Sequence, residues 1–201
     1  MRRTIAAFVS AATLLACGAL PAAADDPQGG GPDQVVSAIT TADNMVAERS
    51  KVHARSFGGD TLDNTNLARA YAHDCTGCRS VAVSIQAVFA TGHPHTVTPH
   101  NFAVAVNENC TGCVSFAYAY QYVVTTDGPV RLTDAGRQQL GDLREQFAEA
   151  AHSDMAPADL DARLKDLSAQ FKNVVDNELQ AAGEDGHGSP HEDEDQQGDQ
   201  Q

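Results

Sequence analysis

The sequence predicts an α/β fold: a small mixed sheet built from two helix-CxxC-strand repeats after an N-terminal β-hairpin, plus a C-terminal antiparallel helical hairpin. Three observations predict it. The tetrapeptide Cys-Thr-Gly-Cys occurs twice, at residues 75–78 and 110–113, and each copy leads into a strand-like run, RSVAVSIQAVF from Arg79 and VSFAYAYQYVV from Val114. The same offset of 35 positions pairs Thr61 with Thr96, Asn66 with Asn101, Ala68 with Ala103, Ser80 with Ser115 and Gln86 with Gln121, so one supersecondary unit is used twice. Finally, two stretches after residue 132 carry apolar residues at helical spacing.

The chain opens with an export signal over residues 1–24. Arg2 and Arg3 form a short positive region, Ile5 to Ala16 is apolar, and Pro21-Ala22-Ala23-Ala24 ends in a small-x-small pattern. The apolar run is too short to span a membrane. Cleavage after Ala24 predicts a secreted, extracellular protein. The alternative is a lipobox, Leu14-Leu15-Ala16-Cys17, in which Cys17 would be acylated and anchor the chain at the cell surface. The first route is preferred because GALPAAA after Cys17 stays apolar, whereas a lipoprotein tether turns polar at once.

The whole chain of 201 residues has a net charge of −14. Loss of Met1–Ala24 removes Arg2 and Arg3 and no acid, leaving 11 basic against 27 acidic groups, a net charge of −16. Such a chain repels phosphate backbones, which disfavours nucleic acid as a partner. Aromatic residues make up 5% and tryptophan is absent, so the core must rest on Val, Ala, Leu and the rings of the second repeat.

Residues 25–33 read as a flexible leader. Gln34 to Thr41 is a predicted strand, and Met45 to Phe57 another. In the latter Arg49, Lys51, His53 and Arg55 share one face, as on a solvated or edge strand, and a hairpin between the two follows. Gly58-Gly59 breaks the pattern. Leu62 to Ala72 has helical spacing, and Thr98-Pro99 reads as the N-terminus of a second helix running to Glu108. After the second tetrapeptide, Phe116, Tyr118, Tyr120 and Tyr122 alternate with smaller residues, which puts all four rings on one face of a strand. That face suits packing under a helix better than a carbohydrate or peptide platform. A turn at Asp127-Gly128-Pro129 and a short strand at Val130–Leu132 close the α/β domain, 34–132. The helical hairpin, 133–182, follows, with Leu140, Leu143 and Phe147 on one stripe and Leu160, Leu164, Leu167, Phe171, Val174 and Val175 on the other. Residues 183–201, acidic and without apolar content, are expected to be disordered.

Setting Cys17 aside, four cysteines remain: Cys75, Cys78, Cys110 and Cys113. In an oxidising compartment they read first as disulfides, Cys75 with Cys78 and Cys110 with Cys113, although sequence cannot choose among the three pairings. The alternative is a zinc ion held by all four thiolates. A redox pair is the third reading, set back because neither tetrapeptide opens a helix, the place that lowers a thiol pKa. No His-Glu-x-x-His, Gly-x-Ser-x-Gly or phosphate-loop pattern is present, so no catalytic residue and no cofactor are assigned.

The run from HDCTGCRSVAVSIQAV through NENCTGCVSFAYAYQYVVTTDGPVRLT to the last helix resembles an actinobacterial secreted module of unknown function. It is also similar to the extracytoplasmic region of membrane-bound peptide zinc metalloprotease proteins. The resemblance covers Gln34 to Leu179. The protease motif is missing, so what it implies is an accessory or interaction module. The expectation is a secreted, non-enzymatic binding or scaffolding module with a protein or peptide partner and no membrane span.

Overall fold

The computed structural model describes residues 31–183. The export signal, Cys17, the leader up to residue 30 and the acidic tail from residue 184 lie outside the described residues.

Six strands wind as three successive coils, or rungs. The first rung is β1 (Gln34–Thr40) and β2 (Val46–Gly58), the second β3 (Thr61–His73) and β4 (Arg79–Thr91), the third β5 (Thr96–Glu108) and β6 (Val114–Thr126). The odd strands form one parallel sheet in the order β1-β3-β5, and the even strands a second, β2-β4-β6. The result is a three-rung parallel β-solenoid. One step from the second rung to the third is the 35-residue offset: Thr61 lies beside Thr96, Asn66 beside Asn101, Ser80 beside Ser115 and Gln86 beside Gln121.

Two different interiors hold this stack. Between the sheets the side chains are small or amide-bearing. Val36, Ala38, Ala47, Ala68, Ala70 and Ala82 form one apolar cluster. Beside it the Asn66 side-chain amide donates to Asn101 Oδ1 at 2.8 Å and to the Ser84 and Tyr120 carbonyls, each at 3.1 Å. Asn64, Gln86 and Gln121 repeat the device: the Asn64 amide donates to Gln86 Oε1 at 2.9 Å and that of Gln121 to Asn64 Oδ1 at 2.5 Å. Buried polar groups satisfied in this way rigidify a core instead of weakening it.

The second interior lies between the outer face of the β2-β4-β6 sheet and two helices, α1 (Asp134–Ala151) and α2 (Pro157–Glu178). Val81, Val83, Ile85 and Phe89 meet Leu140, Phe147, Leu164 and Phe171 there. Phe147 and Phe171 are wholly buried, and truncation of either to Ala removes about 3–5 kcal/mol. The ring face of β6 is under α2: Tyr120 meets Phe171 edge-on at 6.3 Å, and the Tyr118 and Ser168 hydroxyls are 3.0 Å apart. Thr133 caps α1 by accepting from the Gly136 N–H at 2.9 Å. No helix among the described residues is long and apolar enough to cross a membrane.

The predicted α/β fold is therefore overturned: the described residues are mostly β, with two wholly parallel sheets, and their helices all follow residue 133. Residues 62–72 and 98–108, expected to be helices, are the strands β3 and β5. The reason is that the face β3 buries is, after Leu62, made of Asn and Ala (Asn64, Asn66, Ala68, Ala70 and Ala72), a weak period-2 signal that also suits a helix, while β5, at the end of the stack, buries neither face. The N-terminal hairpin is absent too, because β1 and β2 lie in different sheets. The last helix stops at Glu178 instead of residue 182, since Leu179–Ala181 forms β8, antiparallel to β7 (Val130–Leu132).

Candidate functional site

Both Cys-Thr-Gly-Cys turns lie at one corner of the solenoid, where each odd strand passes to its even partner. Each turn needs a residue at positive φ, supplied by Gly77 (+69°) and Gly112 (+66°). A side chain at Gly77 would also run into Asn44 Oδ1, 2.8 Å from its Cβ position. The turns stack in register through a Thr76–Thr111 bridge, with Gly77 N–H donating to the Thr111 carbonyl at 2.9 Å and Val114 N–H to the Cys78 carbonyl at 2.8 Å. Beside them Asp74 and Asn109 occupy equivalent left-handed positions and bond at 3.1 Å. Hydrogen bonds from His73 and Asn109 hold the Asp74 carboxyl below its usual range.

Stacking the turns brings all four sequence-predicted cysteines together. Cys75 and Cys78 are buried and bonded to each other. Cys110 and Cys113 are half-buried free thiols, so the second bond expected from the repeat is not formed. Cys75 Sγ lies 3.5 Å from Cys110 Sγ and 3.8 Å from Cys113 Sγ, and these three atoms all fall within 4.8 Å of one another. Desolvation, then the hydrogen bond with Cys113, pushes the Cys110 thiol above its usual pKa. No helix opens at this corner, so neither turn gains a thiolate-stabilising dipole.

The third rung, on which Cys110 and Cys113 sit, ends the stack. Among the described residues β5 and β6 are edge strands with no neighbour beyond them, so alternate residues along each turn their backbone N–H and C=O toward an unfilled edge, Pro99 having no N–H to offer. Between these strands the inter-sheet face continues outward: Asn101 donates to the Ala119 carbonyl at 3.0 Å, and Ser115 to the Val106 carbonyl at 3.0 Å. Among the 26 residues of the two strands the only carboxylate is Glu108 and the only imidazole His100; there is no Lys or Arg. Sequence reasoning missed this end, because it placed a helix over β5. The signal was present in the repeated Asn66/Asn101 and Gln86/Gln121 matches, which mark Asn101 and Gln121 as a copied interior with nothing copied beyond it.

The basic residues lie at the other end. Arg49, Lys51, His53 and Arg55 occupy β2, the edge strand of the first rung, in line with the inter-sheet residues Ala82, Ser84, Gln86 and Val88 of β4. A surface cleft of about 430 Å³ near α1 is bordered by Arg131, Arg137 and Arg144. Two of these guanidiniums are already engaged, Arg137 with the Leu132 carbonyl at 2.7 Å and Arg144 with the Val52 carbonyl at 3.1 Å. No protein-family model, no curated protein and no solved structure matches the chain.

Proposed function

We propose that the chain is an exported, non-enzymatic scaffolding module that works by joining its third rung to the third rung of a second copy. The observation that carries the reading is the bare end formed by β5 and β6: long, parallel edges with almost no charge. Natural edges that are meant to stay free carry Lys, Pro or inward charges, or are kept short; along these 26 residues the one such device is Pro99 in β5, and β6 has none.

The second copy is favoured over other occupants for two reasons. What β5 and β6 present outward is unpaired backbone N–H and C=O flanked by alanines and the side-chain amides of Asn101 and Gln121, groups that carry both donors and acceptors and so complement a second copy of themselves. A twofold axis across the stack closes the pair, with each edge strand antiparallel to its mate. Head-to-tail stacking is disfavoured because it would bury Arg49, Lys51 and Arg55 of the first rung without acids to meet them. Strands of 13 residues are about 43 Å long, and two sheets with their side chains span about 20 Å, giving roughly 850 Å² per copy, the standard size of a specific interface. Export rests on the N-terminal signal pattern of residues 1–24.

Sedimentation equilibrium of the exported chain should give a dimer. Ala105→Lys, which puts an ammonium on the inter-sheet face of β5, should weaken association by more than about a hundredfold, the effect of burying an unpaired charge, with an unchanged circular dichroism spectrum. A wild-type chain that stays monomeric up to high concentration would remove the proposal.

A further inference from the structure

The cysteine corner has a second chemistry that the bonded pair conceals. Disulfides need only two sulfurs at a time, yet the stacked turns gather four from two different rungs. Thr76–Thr111 and the flanking backbone bonds fix the rungs' register, so the sulfurs meet because of the fold and not through side-chain chance. The first rung has no sulfhydryl to add: its corresponding turn carries Ala42 and Met45 where the later rungs carry cysteines, and the Ala42 carbonyl lies 3.0 Å from Cys78 Sγ as a floor. The upper side, at Cys110 and Cys113, is half open.

Distances then select among ligands. Bonds of about 2.3 Å from zinc to sulfur set sulfur–sulfur edges of about 3.8 Å in a tetrahedron. The edges from Cys75 to Cys110 and Cys113 are 3.5 and 3.8 Å, and both run between rungs. Cys78 is held on the same corner by its bond to Cys75, three residues away across Thr76-Gly77. Opening that bond frees Cys78 as a fourth thiol beside the three sulfurs that already lie within 4.8 Å of one another. Soft thiolates in a tetrahedral set exclude calcium and magnesium and favour zinc or cobalt.

We propose that the reduced chain binds one zinc-type divalent cation through Cys75, Cys78, Cys110 and Cys113, while the oxidised chain holds the Cys75–Cys78 disulfide instead. An external thiol or phosphine reductant supplies the two electrons that open the disulfide, and two protons complete the thiols. Metal binding then releases four thiol protons to solvent and leaves a tetrathiolate site of net charge −2. The corner is thus a redox-gated metal site: a covalent clip within one rung when oxidised, a metal clip across two rungs when reduced. This goes beyond the scaffolding role and does not depend on self-association.

The test uses the exported chain with a phosphine reductant under anaerobic conditions and titrates cobalt(II) alone. The expected result is one cobalt per chain with the absorption of a tetrahedral thiolate complex, displaced by zinc, and a rise in the thermal midpoint of the reduced chain. Without reductant no such spectrum should form. Cys110→Ser and Cys113→Ser should each weaken binding by more than about a hundredfold, beyond what loss of a merely supporting contact costs. If reduction unfolds the metal-free chain, added zinc should refold it. A reduced chain that gives no tetrahedral cobalt spectrum, or that binds as tightly with Cys110→Ser, or that zinc fails to refold, overturns the assignment.

Discussion

The two ends of the solenoid are built from the same strand-turn-strand unit, but they are finished differently. At the first rung β1 is cut to seven residues, and β2 carries Arg49, Lys51, His53 and Arg55 in line with the inter-sheet face. At the third rung both strands run for 13 residues, no described strand pairs with their outer edges, and two thiols replace the first rung's Ala42 and Met45. A stack of parallel rungs has two templating ends and must protect each or use it. Here one end is protected by cations and shortness. The other carries neither, Pro99 aside, and is the end proposed to join a second copy.

The comparison breaks most visibly if the protected end is stripped. Combining Arg49→Val, Lys51→Val and Arg55→Val removes the cations and gives the molecule two bare ends. The expected outcome is open-ended assembly instead of a closed pair, seen as light scattering and sedimenting mass that grow with concentration. If the triple variant keeps the wild-type mass, charge is not what protects the first rung.

A smaller effect separates the covered rung from the open one. Asn66 is wholly buried, with its amide shared among three acceptors, whereas Asn101 faces the open end. Asn66→Ala should lower the unfolding free energy by about 2–3 kcal/mol, since it strands buried carbonyls, and Asn101→Ala by about 1 kcal/mol or less in the monomer. Denaturant titrations of both variants on an Ala105→Lys background, which keeps the chain monomeric, measure the difference. Equal losses would mean that the third rung is as well covered as the second.

Much of the site was legible before the fold. The Cys-Thr-Gly-Cys pairs and their offset of 35 placed Cys75, Cys78, Cys110 and Cys113 at one end of adjacent strands, and the register pairs Asn66 with Asn101 as the sequence matched them. The helices of residues 134–151 and 157–178 fall on stretches with Leu and Phe at helical spacing, where an apolar stripe is a strong signal. The fold class was not legible, for a physical reason. A parallel solenoid packs one face of each covered strand against a sheet close by, and here that interior is mostly Ala, Asn, Gln and Ser in place of Leu and Ile. Leu62-Asn64-Asn66-Ala68-Ala70 then carries too little contrast to set a period of two against 3.6. The apolar residues of β5 mislead further: Phe102, Val104 and Val106 are on the outer face, and Phe102 is 50% exposed. The basic alternation of β2 was readable as an edge pattern, and an edge is where it lies.

The most direct measurement of the central claim is amide hydrogen exchange at two concentrations, one that favours association and one that favours the free chain. If the third rung is the joining surface, amides of residues 96–108 and 114–126 will exchange more slowly at the higher concentration, while those of β1 and β2 will not change. Exchange that is the same at both concentrations in β5 and β6, or slowed instead in β2, would contradict the account.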